Sequence, residues 1–198
     1  MKRLTSVGAG LAIALSLAGC AMVDSAQGWT TLIDGTKGLE NFTTVGDANW
    51  RAVDGAIQAD KRAGKTPGYL VTKSPYSDFQ IRVEFWASDD ANSGIYMRCA
   101  NPAEITDKTC YEANIFDQRP DPTYATGAIV WVAKREVMQK AGGKWNTYDI
   151  TLKGSRLLVT LNGQRTVDVE HSQFKSGPIA LQYGAGVVKF RKLQIRPL

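Results

Sequence analysis

The sequence has 198 residues and a formal net charge of +5, from 24 Lys and Arg residues against 19 Asp and Glu residues. Charges of opposite sign are interspersed along the chain and do not form a basic cluster, which argues against a nucleic-acid-binding protein. The chain is long enough for one domain with a sizeable hydrophobic core.

The amino-terminal segment has the features of a secretory signal peptide. Lys2 and Arg3 precede an apolar run, residues 11–18, which is too short to cross a bilayer as a helix. We therefore predict that residues 1–19 are a signal peptide and that the protein is exported. Its removal takes away two basic residues and no acidic one, and leaves a net charge of +3.

Residues 17–20 read Leu-Ala-Gly-Cys, which resembles the lipobox of bacterial lipoproteins, where a peptidase cuts before a lipid-bearing cysteine. We predict that Cys20 is lipidated and so tethers the protein to a membrane, that residues 20–27 are a short linker, and that residues 28–198 form the domain. Ala21 replaces the aspartate that commonly retains lipoproteins at the inner membrane, so the outer membrane is favoured, with the domain facing the periplasm. An ordinary signal peptide with an incidental cysteine is the alternative.

The domain alternates apolar and polar residues with a period of two, and no helical period persists beyond about two turns. This pattern is typical of an all-β sandwich or barrel. The dipeptides Asp54-Gly55 and Asn162-Gly163 lie between short apolar runs and predict two tight hairpins.

Two segments show the strand pattern most clearly. Residues 79–86 alternate apolar and polar side chains, which predicts a strand with one buried face and one solvated face. In the last strand, residues 187–195, the alternation slips between Phe190 and Leu193, as a β-bulge would cause. Three tryptophans are predicted to lie in the core: Trp50, Trp86 and Trp145.

Two cysteines remain in the domain, Cys99 and Cys110. An exported protein in an oxidising compartment tends to pair such residues, so we predict a disulfide that closes the loop of residues 100–109. A zinc site would need further ligands, and the only histidine, His171, is distant in sequence and is predicted to lie at a strand end on the surface. No ligand spacing supports a metal site, and no cofactor is predicted.

A series of short phrases occurs in a characteristic order along the domain. Each phrase is weakly specific alone, but their order extends over the whole domain. They are Gly28-Trp29, Asn49-Trp50, Gly68-Tyr69-Leu70, the run from Ala91 to Arg98, Tyr111-Glu112, Thr126-Gly127-Ala128, the run from Trp145 to Tyr148, and Gly177-Pro178-Ile179.

Together these phrases resemble the 3-keto-disaccharide hydrolase family. The resemblance implies a concanavalin-like jelly roll, in which two antiparallel sheets pack face to face, and a glucoside oxidised at carbon 3 as the substrate. It further implies cleavage by β-elimination: a base removes the hydrogen on carbon 2, the enolate expels the group on carbon 1, and water then adds to the unsaturated sugar. Such a site needs a base, an enolate stabiliser and a platform for the sugar.

Alternation on two strands places the candidates for these roles on the face away from the core. Glu112, within the phrase Tyr111-Glu112, is the first candidate for the base, and Arg98, which shares a face with Tyr96, is the candidate for stabilising the enolate. The alternatives are a solvated acid at Glu112 and a structural ion pair of Arg98 with Glu84 or Glu112. Further candidates for substrate contacts are Tyr96, Asn114, Asp117, Trp131, Gln182 and, as a reserve acid, Glu84.

The sequence departs from the family pattern at two places near this site. Val130 stands where relatives commonly carry tyrosine, and Asn114 stands where glutamine is usual. Two other classes of function therefore remain as alternatives: a non-catalytic carbohydrate-binding lipoprotein that uses the same face, and an envelope structural protein without a ligand. A carboxylate and a cation that converge in one concavity would favour the enzyme.

Overall fold

The computed structural model describes residues 28–198, so the predicted signal peptide and the lipid on Cys20 lie outside the described residues. Within the described part, secondary structure is almost entirely β, with two short 3₁₀ turns, Leu39–Asn41 and Pro122–Tyr124, and no helix long and apolar enough to cross a membrane. The strands are β1 (Thr30–Asp34), β2 (Phe42–Val45), β3 (Arg51–Val53), β4 (Ala56–Ala59), β5 (Gly68–Thr72), β6 (Phe79–Ala87), β7 (Ser93–Met97), β8 (Tyr111–Ile115), β9 (Trp145–Lys153), β10 (Arg156–Leu161), β11 (Gln164–Glu170), β12 (Ala180–Tyr183) and β13 (Val188–Pro197).

The strands form two antiparallel sheets. The larger sheet has eight strands, in the order β11-β10-β9-β6-β13-β4-β3, and β1 pairs with the second half of β13. The smaller sheet has five strands in the order β2-β5-β12-β7-β8. Many neighbours in these sheets are distant in sequence, so the chain crosses repeatedly between the two layers.

The predicted turns and bulge are confirmed. Asp54 and Gly55 adopt positive φ values of 48° and 75° between β3 and β4, and Asn162 and Gly163 adopt 51° and 78° between β10 and β11. Side chains other than glycine and asparagine or aspartate are strained in this left-handed region, which explains the choice of residues. The pairing of β13 with β6 shifts register just after Phe190, where the sequence pattern slips.

The inward faces of the two sheets enclose one large core. Phe85 of β6 stacks on Tyr148 of β9 with ring centroids 5.2 Å apart, and Ile95 of β7 and Leu181 of β12 pack into the same core from the smaller sheet. Full burial of each such side chain stabilises the fold by about 1.5–3 kcal/mol. The alternation in residues 79–86 thus predicted correctly which side chains are buried.

The prediction for the tryptophans is wrong for two of the three. Trp86 and Trp145 lie on the solvent side of the eight-stranded sheet, where Lys189 covers the ring of Trp86 at 5.2 Å and Arg191 covers that of Trp145 at 4.2 Å. A cation above an indole face shields a large apolar ring without burying it in the core. Trp50 packs partly buried against the edge of the core.

Candidate functional site

The five-stranded sheet carries a second cluster of buried side chains on the face turned away from the core, which we call the outer face. The predicted disulfide between Cys99 and Cys110 is confirmed and closes the loop of residues 100–109. Ile105 of this loop packs on the outer face, so the loop covers part of the sheet. The cluster comprises Tyr69, Val71, Tyr96, Cys99, Ile105, Cys110 and Ala180.

Strand register brings polar side chains together beside this cluster. Tyr96 of β7 is opposite Glu112 of β8, and Gln182 of β12 is opposite Tyr69 of β5. Directly opposite residues on neighbouring strands have Cβ atoms about 4.5–5.5 Å apart and share a face. Four strands, β5, β7, β8 and β12, thereby supply two phenols, a carboxyl group and an amide to one patch.

Glu112 is the buried acid of this patch, with 4% of its surface exposed. Burial is the main cause that raises its pKa to about 8, and the negative charge of Asp107 acts in the same direction. A hydrogen bond from Tyr96 and the positive charge of Arg119 oppose this rise. At pH 7 the carboxyl group is therefore mostly protonated, and it becomes a base near pH 8.

The side chain of Glu112 lies directly over Gly94, its diagonal neighbour on β7. A Cβ atom at residue 94 would be 2.8 Å from Oε1 of Glu112 and 3.0 Å from its Cγ, closer than real Cβ contacts. A larger residue here would force the side chain of Glu112 to shift, because of close approach and not because of a positive φ. Gly94 therefore makes the space that holds the carboxyl group.

An amide links the two phenols of the patch. Nε2 of Gln182 donates to Oη of Tyr96 at 2.9 Å and to Oη of Tyr69 at 3.4 Å, and the two rings meet edge to face with centroids 5.4 Å apart. Oε1 of Gln182 and Oδ1 of Asn114 are buried and have no hydrogen-bond partner among residues 28–198. Two buried acceptors without a partner, so close to a buried acid, are rare in a folded core.

Trp131 stands at the rim, beside the disulfide loop, with 56% of its surface exposed. Its Nε1 donates to Oδ2 of Asp107 at 2.7 Å, the ring of Tyr124 lies 5.3 Å away, and the guanidinium of Arg119 lies 5.4 Å from the indole centroid. Its φ of 60° is unusual for a bulky residue. The indole is thus exposed but held in one orientation.

Arg119 is a site residue that the sequence did not reveal. Its charge acts on Glu112, its Nε is buried without a hydrogen-bond partner, and none of the ion pairs within residues 28–198 includes it. It lies in an irregular loop, where alternation gives no information about direction. Tyr69 was also missed, although its place in the phrase Gly68-Tyr69-Leu70 was a usable signal.

Arg98 does not join Glu112. The strand β7 ends at Met97, and Arg98 adopts a φ of 50°, which breaks the alternation, so that Cys99 and not Arg98 joins the outer-face cluster. The guanidinium is buried, with 1% of the residue exposed, and donates to the carbonyl oxygens of Ser77 and Gly154 at 2.6 and 2.8 Å. It also pairs with Asp78 at 3.0 Å. Arg98 thereby joins loops and does not lie beside Glu112, where the sequence predicted it.

Two other predicted contacts also lie elsewhere. Glu84 is on the solvent side of the eight-stranded sheet, paired with Arg191 at 2.6 Å, and therefore cannot serve as a reserve acid beside Glu112. Asp117 accepts hydrogen bonds from the hydroxyl of Thr126 at 2.6 Å and from the backbone N–H of Gly142 at 2.9 Å, so it anchors loops. Of the remaining candidates, Tyr96, Asn114 and Gln182 lie in the patch, and Trp131 lies at its rim.

A groove of about 450 Å³ leads to this patch, with Tyr69, Tyr96, Ile105 and Asp107 among its walls. In the part of the chain that the structure describes, no group of three or more His, Cys, Asp or Glu side chains is placed to hold a metal ion. The groups at the patch are a carboxyl group with a raised pKa, a nearby guanidinium, phenols and amides.

The sequence profile of one family, the 3-keto-alpha-glucoside-1,2-lyase-like domain, matches residues 28–196. The chain belongs to this family. The match covers the whole sandwich and includes every residue of the patch. Among curated proteins, none matches the chain.

Solved structures similar to this family member establish the fold. Two proteins of Parabacteroides distasonis, both provisionally described as glycosyl hydrolases, superpose with TM-scores of 0.75 and 0.66 at 18% and 22% identity. The first similarity covers 89% of this chain and 96% of the other, and the second covers 86% and 99%. A family 66 carbohydrate-binding module of Bacillus subtilis superposes with a TM-score of 0.56 at 17% identity over 85% of this chain and 95% of its own. The predicted jelly-roll sandwich is confirmed.

The departure at Val130 lies in the candidate site of this family member. The N–H of Val130 donates to the carbonyl oxygen of Glu112 at 3.0 Å, and the N–H of Asn114 donates to that of Ala128 at 3.0 Å. Residues 128–130 therefore extend the sheet beyond β8, with Val130 directly opposite Glu112. An apolar neighbour at this position favours the neutral carboxyl group.

Proposed function

We propose that this protein binds glycosides oxidised at carbon 3 on the outer face of its five-stranded sheet and cleaves them by β-elimination followed by hydration. The observation that carries the proposal is a buried carboxyl group, Glu112, whose pKa is raised to about 8 among phenol and amide groups. Membership of the 3-keto-alpha-glucoside-1,2-lyase-like family supports the choice of substrate.

Glu112 is the base of the proposed reaction. A ketone at carbon 3 acidifies the hydrogen on carbon 2, and a carboxylate with a raised pKa is a stronger base for that hydrogen than an ordinary glutamate. The electron pair of the broken C–H bond forms the enolate. When the enolate collapses, the bond from carbon 1 to its oxygen breaks, and the departing oxygen takes a proton from Glu112 or from water.

In this proposal Arg119 stabilises the enolate, a role that the sequence analysis gave to Arg98. The developing negative charge lies on the oxygen of carbon 3. The guanidinium of Arg119 is suited to stabilise it, because it forms no ion pair within residues 28–198 and its Nε has no hydrogen-bond partner there. Water then adds its oxygen to carbon 1 of the unsaturated ketone while carbon 2 regains a proton. The sum of these steps is hydrolysis without an oxocarbenium intermediate.

The experiment that tests this proposal is the turnover of 3-keto-sucrose, 3-keto-trehalose and a 3-keto-aryl glucoside by the wild type and by Glu112→Gln. Loss of a general base lowers kcat by about 10²- to 10⁴-fold, whereas binding of the substrate persists. Deuterium on carbon 2 must be lost to solvent during turnover. Glu84→Gln, on the other side of the sandwich, is the matched control and keeps wild-type kcat. Wild-type turnover by Glu112→Gln, or cleavage with full retention of the deuterium, would overturn the proposal.

A second candidate is a binding protein without catalysis. The orphan acceptors of Gln182 and Asn114 favour it, because they equip the patch to read hydroxyl groups whether or not a base acts. A binding protein would bind oxidised and unoxidised glucosides, would leave both intact, and would exchange no hydrogen at carbon 2. Calorimetry with both sugars, followed by analysis of the recovered sugar, separates the two candidates.

We also propose that the protein acts in the cell envelope as a lipoprotein, tethered through a lipid on Cys20. This proposal is supported by the apolar run of residues 11–18 and by the Leu-Ala-Gly-Cys sequence of residues 17–20. The outer membrane, with the domain facing the periplasm, is the proposed location.

A further inference from the structure

A second cavity, of about 590 Å³, lies next to the candidate site on the other side of Asp107 and Trp131. Asp107 lines both this cavity and the groove at Tyr69 and Tyr96. The two spaces therefore meet at one side chain. The walls of the cavity include Cys110, Trp131, Val132, His171, Gln173 and Phe174.

The cavity presents the rings of Trp131, His171 and Phe174, and the polar side chains of Lys108 and Gln173 also line it. The hydroxyl of Tyr111, beneath it, is engaged by Nδ1 and the carbonyl oxygen of His171 and by the N–H of Phe174, all within 3.1 Å. Oδ2 of Asp107 accepts from Trp131. The three rings offer a flat aromatic group more stacking surface than a single sugar ring would use.

The indole ring of Trp131 is fixed in orientation where it forms a wall of this cavity. A bulky residue at a φ of 60° is costly, and such strain persists where the surrounding structure enforces it, commonly at binding sites. Here Asp107 fixes the indole N–H, and Tyr124 and Arg119 pack against the ring. An exposed ring held in this way stacks on a ligand without the cost of ordering a mobile side chain.

The distance from the cavity to Glu112, the proposed base, is about the size of one sugar ring. Cys110, at the wall of the cavity, is two residues before Glu112 on the same side of the sheet, and two residues of strand span about 7 Å. A pyranose ring over Glu112 would thus direct the substituent of carbon 1 to the cavity.

We propose that this cavity is the subsite for the group attached to carbon 1, and that it takes an aromatic aglycone in preference to a second sugar. The proposal rests on the proposed function, because it assumes that the oxidised sugar lies over Glu112. It assigns Trp131 and Phe174 to binding the leaving group by ring stacking, a contact separate from the chemistry of Glu112.

The first test compares kcat/KM for the 3-keto derivatives of 4-nitrophenyl glucoside and methyl glucoside. Truncation of one stacking ring costs about tenfold in discrimination. Trp131→Ala and Phe174→Leu are therefore each expected to lower the aryl-to-methyl ratio of kcat/KM by about tenfold. Trp145→Ala, a tryptophan on the opposite side of the sandwich, is the control and keeps the wild-type ratio. If Trp131→Ala, at an exposed position that folding tolerates, keeps the ratio, the subsite assignment is wrong.

The second test needs no turnover. In the Glu112→Gln protein, unoxidised 4-nitrophenyl glucoside is expected to quench tryptophan fluorescence, and Trp131→Ala in that background is expected to weaken the apparent affinity by about tenfold. Equal affinity for methyl glucoside and the aryl glucoside would overturn the proposal. If Glu112→Gln retains turnover while Trp131→Ala abolishes the aryl preference, the proposed base fails and the subsite stands. If Glu112→Gln is inactive while Trp131→Ala changes no ratio, the subsite alone fails.

Discussion

At the scale of single residues, the decisive property is the protonation of Glu112. Its pKa of about 8 has burial as its first cause, and the hydrogen bond from Tyr96 and the charge of Arg119 limit the rise. A carboxyl group in this state is neutral in the resting protein and becomes a base only when the pH approaches its pKa.

The raised pKa of Glu112 determines the pH profile of catalysis. We predict that kcat/KM for a 3-keto-glycoside rises with pH and levels off above about 8, because only ionised Glu112 removes the hydrogen on carbon 2. Initial rates from pH 5 to 9.5 measure this profile. Glu84→Gln, the control on the far side of the sandwich, should leave the midpoint where it is. A profile that is flat across this range would contradict the role of Glu112.

The same carboxyl group links stability to pH. Between its ordinary pKa of 4.5 and its folded-state pKa of about 8, the unfolded chain has lost the proton that the folded protein keeps. The free energy of unfolding therefore falls as pH rises through this window, by roughly 3–5 kcal/mol in total. We predict that Glu112→Gln, which removes this cost, gains more stability relative to the wild type at pH 8 than at pH 5. Urea unfolding of both proteins at the two pH values measures the difference, and equal differences would rule the linkage out.

A substitution of Arg98 tests whether this arginine is catalytic or structural. Its buried guanidinium holds the carbonyl oxygens of Ser77 and Gly154 together with Asp78. We predict that Arg98→Lys lowers the free energy of unfolding by about 3 kcal/mol, because one ammonium cannot meet these acceptors, while kcat of the folded protein stays within about twofold of the wild type. Arg82→Lys, in an exposed ion pair with Asp149, should change stability by less than about 0.5 kcal/mol. If Arg98→Lys lowered kcat without lowering the free energy of unfolding, Arg98 would have a catalytic role after all.

At the scale of elements, the segment of residues 128–130 has the strongest influence on the site. Its backbone hydrogen bonds to β8 place Val130 directly opposite Glu112. The pattern of the sequence does not mark this segment as a strand, because only three residues pair before the chain turns at Trp131. Its effect on the carboxyl group arises because pairing with the edge strand β8 places the apolar side chain of Val130 opposite Glu112.

Val130→Thr is the matching test. The two side chains have nearly the same shape, but a hydroxyl beside Glu112 partly solvates the carboxylate. We predict that the pH profile of kcat/KM shifts to lower pH in this variant. Val53→Thr, the same exchange on a strand of the other sheet, is the control. An unchanged or higher midpoint in Val130→Thr would show that this neighbour does not contribute to the pKa.

At the scale of the whole molecule, the two sheets have different outer surfaces. The eight-stranded sheet shows solvent a surface of ion pairs and tryptophans covered by cations, as at Trp86 and Trp145. The five-stranded sheet carries the buried acid, the linked phenols and both cavities. The chain enters the sandwich near Trp29, whose ring lies beside Arg82 and Arg196 on the eight-stranded sheet. The first described residues, Gly28 and Trp29, thus lie at the sheet opposite to the site.

Membrane attachment is the prediction that belongs to this scale. We predict that Cys20→Ser moves the protein from the membrane fraction to the soluble fraction, because the lipid on this cysteine is the proposed anchor. Fractionation with mass spectrometry of the mature amino terminus measures this. Ala21→Ser, next to the cysteine, should remain membrane-bound. Membrane retention of Cys20→Ser, together with a wild-type amino terminus that carries no lipid, would refute the anchor.

The sequence by itself determined the β class, the hairpins at Asp54-Gly55 and Asn162-Gly163, the bulge after Phe190 and the Cys99–Cys110 pair. The β class, the hairpins and the bulge follow from local rules: alternation reports which side of a strand is buried, and a left-handed turn requires particular residues. The disulfide follows from a different rule, that cysteines of an exported protein tend to pair. The order of phrases along the domain also identified the family that the profile matches. Alternation placed Glu112 on the correct face for the same reason.

Only the tertiary structure decided which charged groups accompany that acid. Alternation predicts the direction of a side chain only while the strand continues. Arg98 has a left-handed backbone conformation just after the end of β7, and its guanidinium therefore points toward other loops. Arg119 reached Glu112 from a loop without any period, so no pattern in the sequence gave its direction. Glu84 had the expected alternation, but its strand lies in the other sheet. The composition of the site depends on strand order and on contacts across long separations in sequence, which local periodicity does not encode.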